Sequence, residues 1–204
     1  MHDLFFWFKS LLTLENIRAV LGSLKRRIFR LSFLEMRINL SEESFLSPVF
    51  EDVKVEGYSE HLEKGCINLL NSIGSLGFWN QERFKDEILF TVENPAKDIF
   101  ILVEANSIIG LTVLHRKSLS DNCAELGYVA VKPENRSRKL GYNLLLHVLA
   151  QMKNRDIDYG YLMTDSFRLG AIKTYLNTGF RPYIRNENER KRWQKALNKL
   201  GINI

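Results

Sequence analysis

Cysteine is scarce in this chain: Cys66 and Cys123 are the only two in 204 residues. Two cysteines build no disulfide framework and offer no metal-ligand spacing, so a reducing compartment and a site without metal are expected. No apolar run approaches the roughly 20 residues of a membrane span. The N-terminal run from Leu4 to Phe8 is interrupted by Lys9 and is too short for a signal-peptide core. A cytoplasmic protein is expected. Low-complexity tracts are lacking too, and 45% hydrophobic with 26% charged residues is globular composition, which excludes a disordered or collagen-like chain. This length supports one principal core with appendages.

Net charge is +5, but it is unevenly placed. Residues 1–40 carry +4, residues 185–204 another +4, and the interior 41–184 is −3. The basic excess lies on two terminal segments, as solvated helix faces do, and this argues against nucleic acid as a partner. Leu14, Ile17, Leu21, Leu24, Ile28 and Leu31 follow helical spacing, predicting an amphipathic helix over 13–31. Together with the Phe5–Phe8 aromatic cluster it calls for a covering surface, and a homodimer through this helix is the working expectation.

From Asp52 onward strands and helices alternate. Val53 and Val55 suggest a short strand, Ser59 opens a helix, and a looser helical stretch spans Gln81 to Leu89. Ile99–Glu104 and Ile108–His115 form a hairpin around Ala105-Asn106-Ser107. A third strand, Ala124–Val131, is closed by Pro133. A helix over 140–153, a strand Tyr159–Thr164 and a helix to about Asn177 follow, the last started by Asp165 or Ser166 as a cap and ended by Gly179. Phe180–Ile184 reads as a last strand, and Trp193, Ala196, Leu197 and Leu200 as a terminal helix. The order predicts an α/β (α+β) fold, a mixed sheet with helices on both faces. A right-handed crossover would set the 124–131 and 159–164 strands parallel. The expected organisation is a helical extension and linker over 1–50, a domain over 51–185 and a basic amphipathic helix over 186–204.

The stretch from Tyr128 to Tyr142 carries the most chemistry. A strand ends at a proline, and a basic turn holding Arg136, Arg138 and Lys139 then opens a helix. Unpaired N–H groups, the positive end of a helix dipole and three cations make an anion site. The turn is neither a Walker loop nor a dinucleotide fingerprint.

This turn, Arg136-Ser137-Arg138-Lys139-Leu140-Gly141, resembles the Arg/Gln-x-x-Gly-x-Gly/Ala motif of the GNAT superfamily of acyl-CoA-dependent N-acetyltransferases. A second block, from Thr164 to Phe180, resembles that family's next helix and Gly-Phe strand, and the likeness covers roughly residues 52–184. One position departs: Lys139 stands where the motif has its first glycine, which lets a diphosphate approach the backbone closely. The resemblance implies a mostly antiparallel sheet whose central parallel pair splays apart, with pantetheine in the gap along Val129, Ala130 and Val131. It implies acetyl-CoA as acyl donor, its diphosphate on residues 136–142 (Arg136, Ser137, Arg138, Lys139, Leu140, Gly141 and Tyr142), with Thr164 and Ala171 as further cofactor-binding residues. The acceptor would be a small-molecule or peptide amine, attacking directly.

Glu125 matches the glutamate that activates the amine in this family, and it is equally readable as an ordinary strand carboxylate. Tyr175 matches the tyrosine that protonates the leaving thiolate; as one of a helical stripe with Ala171, Ile172 and Leu176 it would be buried in any case. His115, at a strand end, and Phe78 with Trp79, in the helical region bordering the acceptor, are weaker candidates. The alternative is a catalytically silent module of the same fold that binds acyl-CoA as a sensor or scaffold.

Overall fold

The structure is a computed structural model that describes residues 33–43, 45–118 and 122–202. The helix expected over 13–31, the Phe5–Phe8 cluster and the dimer contact assigned to them lie outside the described residues. One seven-stranded sheet organises the rest: β1 (Phe33–Asn39), β2 (Lys54–Gly57), β3 (Ile99–Glu104), β4 (Ser107–Ser118), β5 (Cys123–Val131), β6 (Tyr159–Asp165) and β7 (Arg181–Tyr183), in the order β2-β3-β4-β5-β6-β1-β7. All neighbours are antiparallel except β5 and β6. Six α-helices pack on its two faces: α1 (Glu63–Ser72), α2 (Gln81–Glu87), α3 (Pro95–Asp98), α4 (Leu140–Lys153), α5 (Leu169–Asn177) and α6 (Glu187–Asn198).

The sequence pattern assigns no strand before Val53, yet β1 sits deep in the sheet, between β6 and β7. Leu34, Met36 and Ile38 alternate into the core while Glu35 and Arg37 face the other side, the two-residue period of a half-buried strand. The 1–50 segment therefore supplies a structural strand rather than only an extension. At the other end, α6 buries Trp193, Ala196 and Leu197 in the same core. The stretch read as a linker is also tied down: Asn143 on α4 donates to the Val49 carbonyl (2.8 Å) and accepts from the Val49 N–H (3.4 Å). Lys153 holds the Glu43 carbonyl.

The hairpin forms where expected, with a two-residue turn. Ala105 and Asn106 both take positive φ (45° and 62°), matching the twist of the flanking strands. Asp165 and Ser166 do not cap α5: its N-cap position is Arg168, with no side-chain bond. The Asp165 carboxylate instead holds the Arg168 guanidinium at 2.9 Å. Gly179 has the expected left-handed backbone, φ +100°.

Two cores flank the sheet. One, under α4, α5 and α6, gathers Leu34, Met36, Leu126, Leu144, Leu162, Ile172 and Phe180; the other, under α1 and α2, gathers Cys66, Leu69, Trp79, Phe84, Ile101 and Val113. Burial, with Glu63 adding to it, pushes the Cys66 thiol from 9.0 up to about 12. A value raised on folding contributes stability fully below the unfolded thiol's pKa and loses it as pH rises through the window from about 9 to 12. The loss should reach about 3 kcal/mol by pH 11. Thermal melts from pH 8 to 11 should therefore fall less steeply in Cys66→Ala than in the parent protein; parallel slopes would remove Cys66 as the cause.

Candidate active site

The sheet comes apart at its centre. β5 and β6 pair only at Cys123–Tyr159, Ala124–Gly160 and Glu125–Tyr161, and beyond that row residues 126–131 and 162–165 separate into a wedge. The reason lies in β5. Between Gly127 and Ala130 the register against β4 shifts, and Tyr128 takes φ 53°, so an extra residue bulges the strand and bends it away from β6. Lys132 N–H bonds the Ile109 carbonyl on β4. By strand alternation, the backbone polar groups of Val131 and Val129 then face the gap. Ala130 is buried against Leu111 of β4.

Two different environments border the wedge. On the α1–α2 face, His115, Glu125 and Tyr161 form one row across β4, β5 and β6. The Tyr161 hydroxyl donates to the Glu125 carboxylate at 3.0 Å, so Glu125 stands at the vertex of the gap. The His115 ring lies over Gly127, where a Cβ would come within 2.7 Å of Nε2, and its Nδ1 is 2.9 Å from Thr91 Oγ1. The Tyr128 hydroxyl donates to Glu87 on α2 (3.0 Å), and Arg83 forks onto the same carboxylate (3.0 and 3.2 Å). Burial and then Glu87 push the Tyr128 phenol well above its usual range. Trp79 meets the Tyr128 ring edge-on at 5.1 Å, with Arg83 stacked 4.0 Å over the indole. Trp79 is buried, whereas Phe78 beside it is 77% exposed.

The opposite face carries Tyr175 and Thr164. Tyr175 is buried on α5, edge-on to Phe180, and burial raises its phenol to about 12 despite the lowering charge of Arg168. It is fully protonated at neutral pH. Thr164 Oγ1 is buried with no hydrogen-bond partner among the described residues, an unmet polar group beside the splayed strands that a ligand's polar atom would satisfy. Ala171 lies half-buried on the face of α5 turned to this core.

At the end of β5, Pro133–Asn135 make a single 3₁₀ turn before α4. Ser137 and Lys139 both adopt left-handed backbone, φ 67° and 58°. Lys139 is the N-cap of α4, so the chain keeps at this position the conformation a glycine adopts freely, at a cost of about 1 kcal/mol or more. Among the described residues no backbone N–H of residues 137–142 donates to another protein group. Leu140 anchors the turn in the core, while Gly141 and Tyr142 are half-buried. Arg136 and Lys139 are exposed and make no ion pair among the described residues. Arg138 is different: its guanidinium is committed to Glu104 in a two-pronged bond of 2.6 and 3.0 Å.

The parallel pair lies where the sequence puts it, and the turn before α4 follows β5 in the expected order. Glu87, Arg83, Thr91 and Tyr161 have no signal there, because each reaches the site through packing between elements distant in sequence.

A bulged strand splitting a mixed sheet, followed by a left-handed turn into a helix, is an acyltransferase-like architecture. The chain belongs to the acetyltransferase (GNAT) family, whose model matches residues 65–180, more than half its length. Solved structures agree in fold. A GCN5-related N-acetyltransferase from Sphaerobacter thermophilus superposes with TM-score 0.65 at 18% identity, over 79% of this chain and 53% of that one. An acetyltransferase of the GNAT family from Staphylococcus aureus gives TM-score 0.57 at 23% identity, over 66% and 88%. N-acetylglutamate synthase from Neisseria gonorrhoeae, complexed with coenzyme A and N-acetyl-glutamate, gives 0.50 at 18%, over 72% and 33%. The chain thus spans about half the length of the Sphaerobacter protein. No curated protein matches the sequence. No helix among the described residues is long and apolar enough to cross a membrane.

Proposed function

We propose that this protein transfers an acetyl or similar short acyl group from acyl-CoA to a primary amine by direct attack, with Glu125 as general base and Tyr175 as general acid. The observation that carries the reading is the split between β5 and β6, with Glu125 at its vertex on one face and Tyr175 on the other. An acceptor and a thioester can then meet through the sheet from opposite sides.

An amine with a pKa of about 10.4 is almost wholly protonated at neutral pH. Glu125 takes that proton, directly or through one water, and the freed nitrogen attacks the thioester carbonyl carbon. The carbon–sulfur bond breaks as the carbon–nitrogen bond completes; the Tyr175 phenol gives its proton to the departing thiolate, and the acylated nitrogen sheds its remaining extra proton, which restores the phenol directly or through water. Backbone N–H groups facing the gap near Val129 can hold the carbonyl oxygen as its charge grows. The open amides of residues 137–142, with Arg136 and Lys139, suit the diphosphate, and Thr164 Oγ1 suits a polar atom of the pantetheine arm.

Incubation with acetyl-CoA and a panel of amines should release CoA thiol. Tyr175→Phe should slow release roughly 10²-fold with acetyl-CoA affinity retained. Tight binding of acetyl-CoA with no release for any amine would replace the enzyme with the silent module.

A further inference from the structure

The diphosphate turn of this chain has a brace. Glu104 ends β3, one residue before the hairpin turn, and the pairing of Gly110 with Val131 brings that hairpin alongside the end of β5. The Glu104 carboxylate takes both arms of the Arg138 guanidinium, at 2.6 and 3.0 Å. Arg138 sits between Ser137 and Lys139, the two left-handed residues of the turn. Neither is glycine, so the turn's shape is not one these residues adopt freely.

We infer that Glu104 is a positioning residue for acyl-CoA binding: through Arg138 it holds the 137–139 backbone in the left-handed shape that presents the α4 amides, replacing the conformational freedom missing at Lys139. Arg138 is on this view a strut and not a diphosphate ligand, leaving Arg136 and Lys139 as the cations that face the anion. The charge surroundings agree. Arg138 holds the Glu104 carboxyl below its usual range, and Asp52 and Glu51 join Glu104 in favouring the charged form of Arg138. A guanidinium so surrounded by carboxylates has little net positive field for a diphosphate.

The inference rests on the acyl-CoA reading, and the test separates the two. In the whole chain without ligand, Glu104→Gln should speed several-fold the hydrogen exchange of the Asn143 amide, which bonds the Lys139 carbonyl at 2.9 Å and so reports the shape of the turn. Titrated with acetyl-CoA, Glu104→Gln should bind roughly three- to tenfold more weakly, with kcat for any accepted amine unchanged. The decisive comparison is Glu104→Gln/Lys139→Gly with Glu104→Gln/Lys139→Ala: both lack the lysine charge, but glycine adopts the left-handed shape freely, so the glycine variant should bind acetyl-CoA several-fold more tightly, and equal affinities would overturn the brace. Unchanged exchange in Glu104→Gln overturns the brace whatever the ligand. So does unchanged or tighter acetyl-CoA binding, the latter meaning that Arg138 was being withheld from the diphosphate. Faster exchange in a protein that binds no acetyl-CoA at all would overturn the CoA assignment and with it the brace's role in binding.

Discussion

Glu125→Gln should lower the rate of amine acetylation by about 10²- to 10⁴-fold while acetyl-CoA binding stays within twofold. The substitution keeps the side chain's size and an oxygen able to accept from the Tyr161 hydroxyl, which lies 3.0 Å from the carboxylate. Only the capacity to take a proton is lost. Because the deficit is one of proton removal, it should shrink as pH approaches the amine's own pKa, where free amine is already abundant. A rate profile from pH 6 to 10, with saturating acetyl-CoA, reads this directly. A deficit of less than threefold at every pH would remove Glu125 from catalysis, and the glutamate would then be a sheet residue paired with Tyr161.

The second large effect is expected at Trp79. Its indole is 1% exposed; its ring N–H donates to the Leu76 carbonyl. Asn71 clamps its backbone from both sides, donating to the Trp79 carbonyl and accepting from its N–H at 2.9 and 2.8 Å. Trp79→Ala should cost about 3–5 kcal/mol, lowering the melting temperature by about 10 °C. The same ring meets Tyr128 and carries Arg83, so its loss also loosens the Arg83–Glu87–Tyr128 network beside the gap. Activity at a temperature where the variant is folded should therefore fall, chiefly through a higher acceptor KM. Trp79→Phe, which preserves an aromatic edge, should recover most of both losses. A melting shift under 3 °C in Trp79→Ala would contradict the packing described.

The legible parts of this molecule are those whose physics is local. The helix over 140–153, the strands on either side of it and the hairpin at Ala105-Asn106 announce themselves through periodicity and turn residues within a few positions. The basic turn before α4 is readable because an anion site of the kind proposed for it needs only a contiguous stretch. β1 shows a two-residue period at Leu34, Met36 and Ile38, but its partners β6 and β7 begin more than 120 residues later, and no residue encodes that register. The bulge at Tyr128 is hidden for a different reason: a tyrosine at positive φ is stabilised by surroundings, here Trp79, His115 and Glu87, and not by its own preference. Arg138 shows the limit of counting charges. Its sequence position suggests a ligand for phosphate, while the neighbouring hairpin supplies a carboxylate that claims it.

The placement of β1 ties the two ends of the chain into one event. A ribosome delivers Phe33–Asn39 early, yet the edges it needs do not exist until Asp165 and then Tyr183 have been made. Until then the strand's apolar side, Leu34, Met36 and Ile38, must wait uncovered, and closing the sheet demands a loop of over a hundred residues, a slow, long-range step. Trimming the N-terminus past Leu40 would leave β7 with no neighbour to bond. Half-finished chains of this protein should accordingly depend on holding factors, where a protein whose strands join in order of synthesis would not.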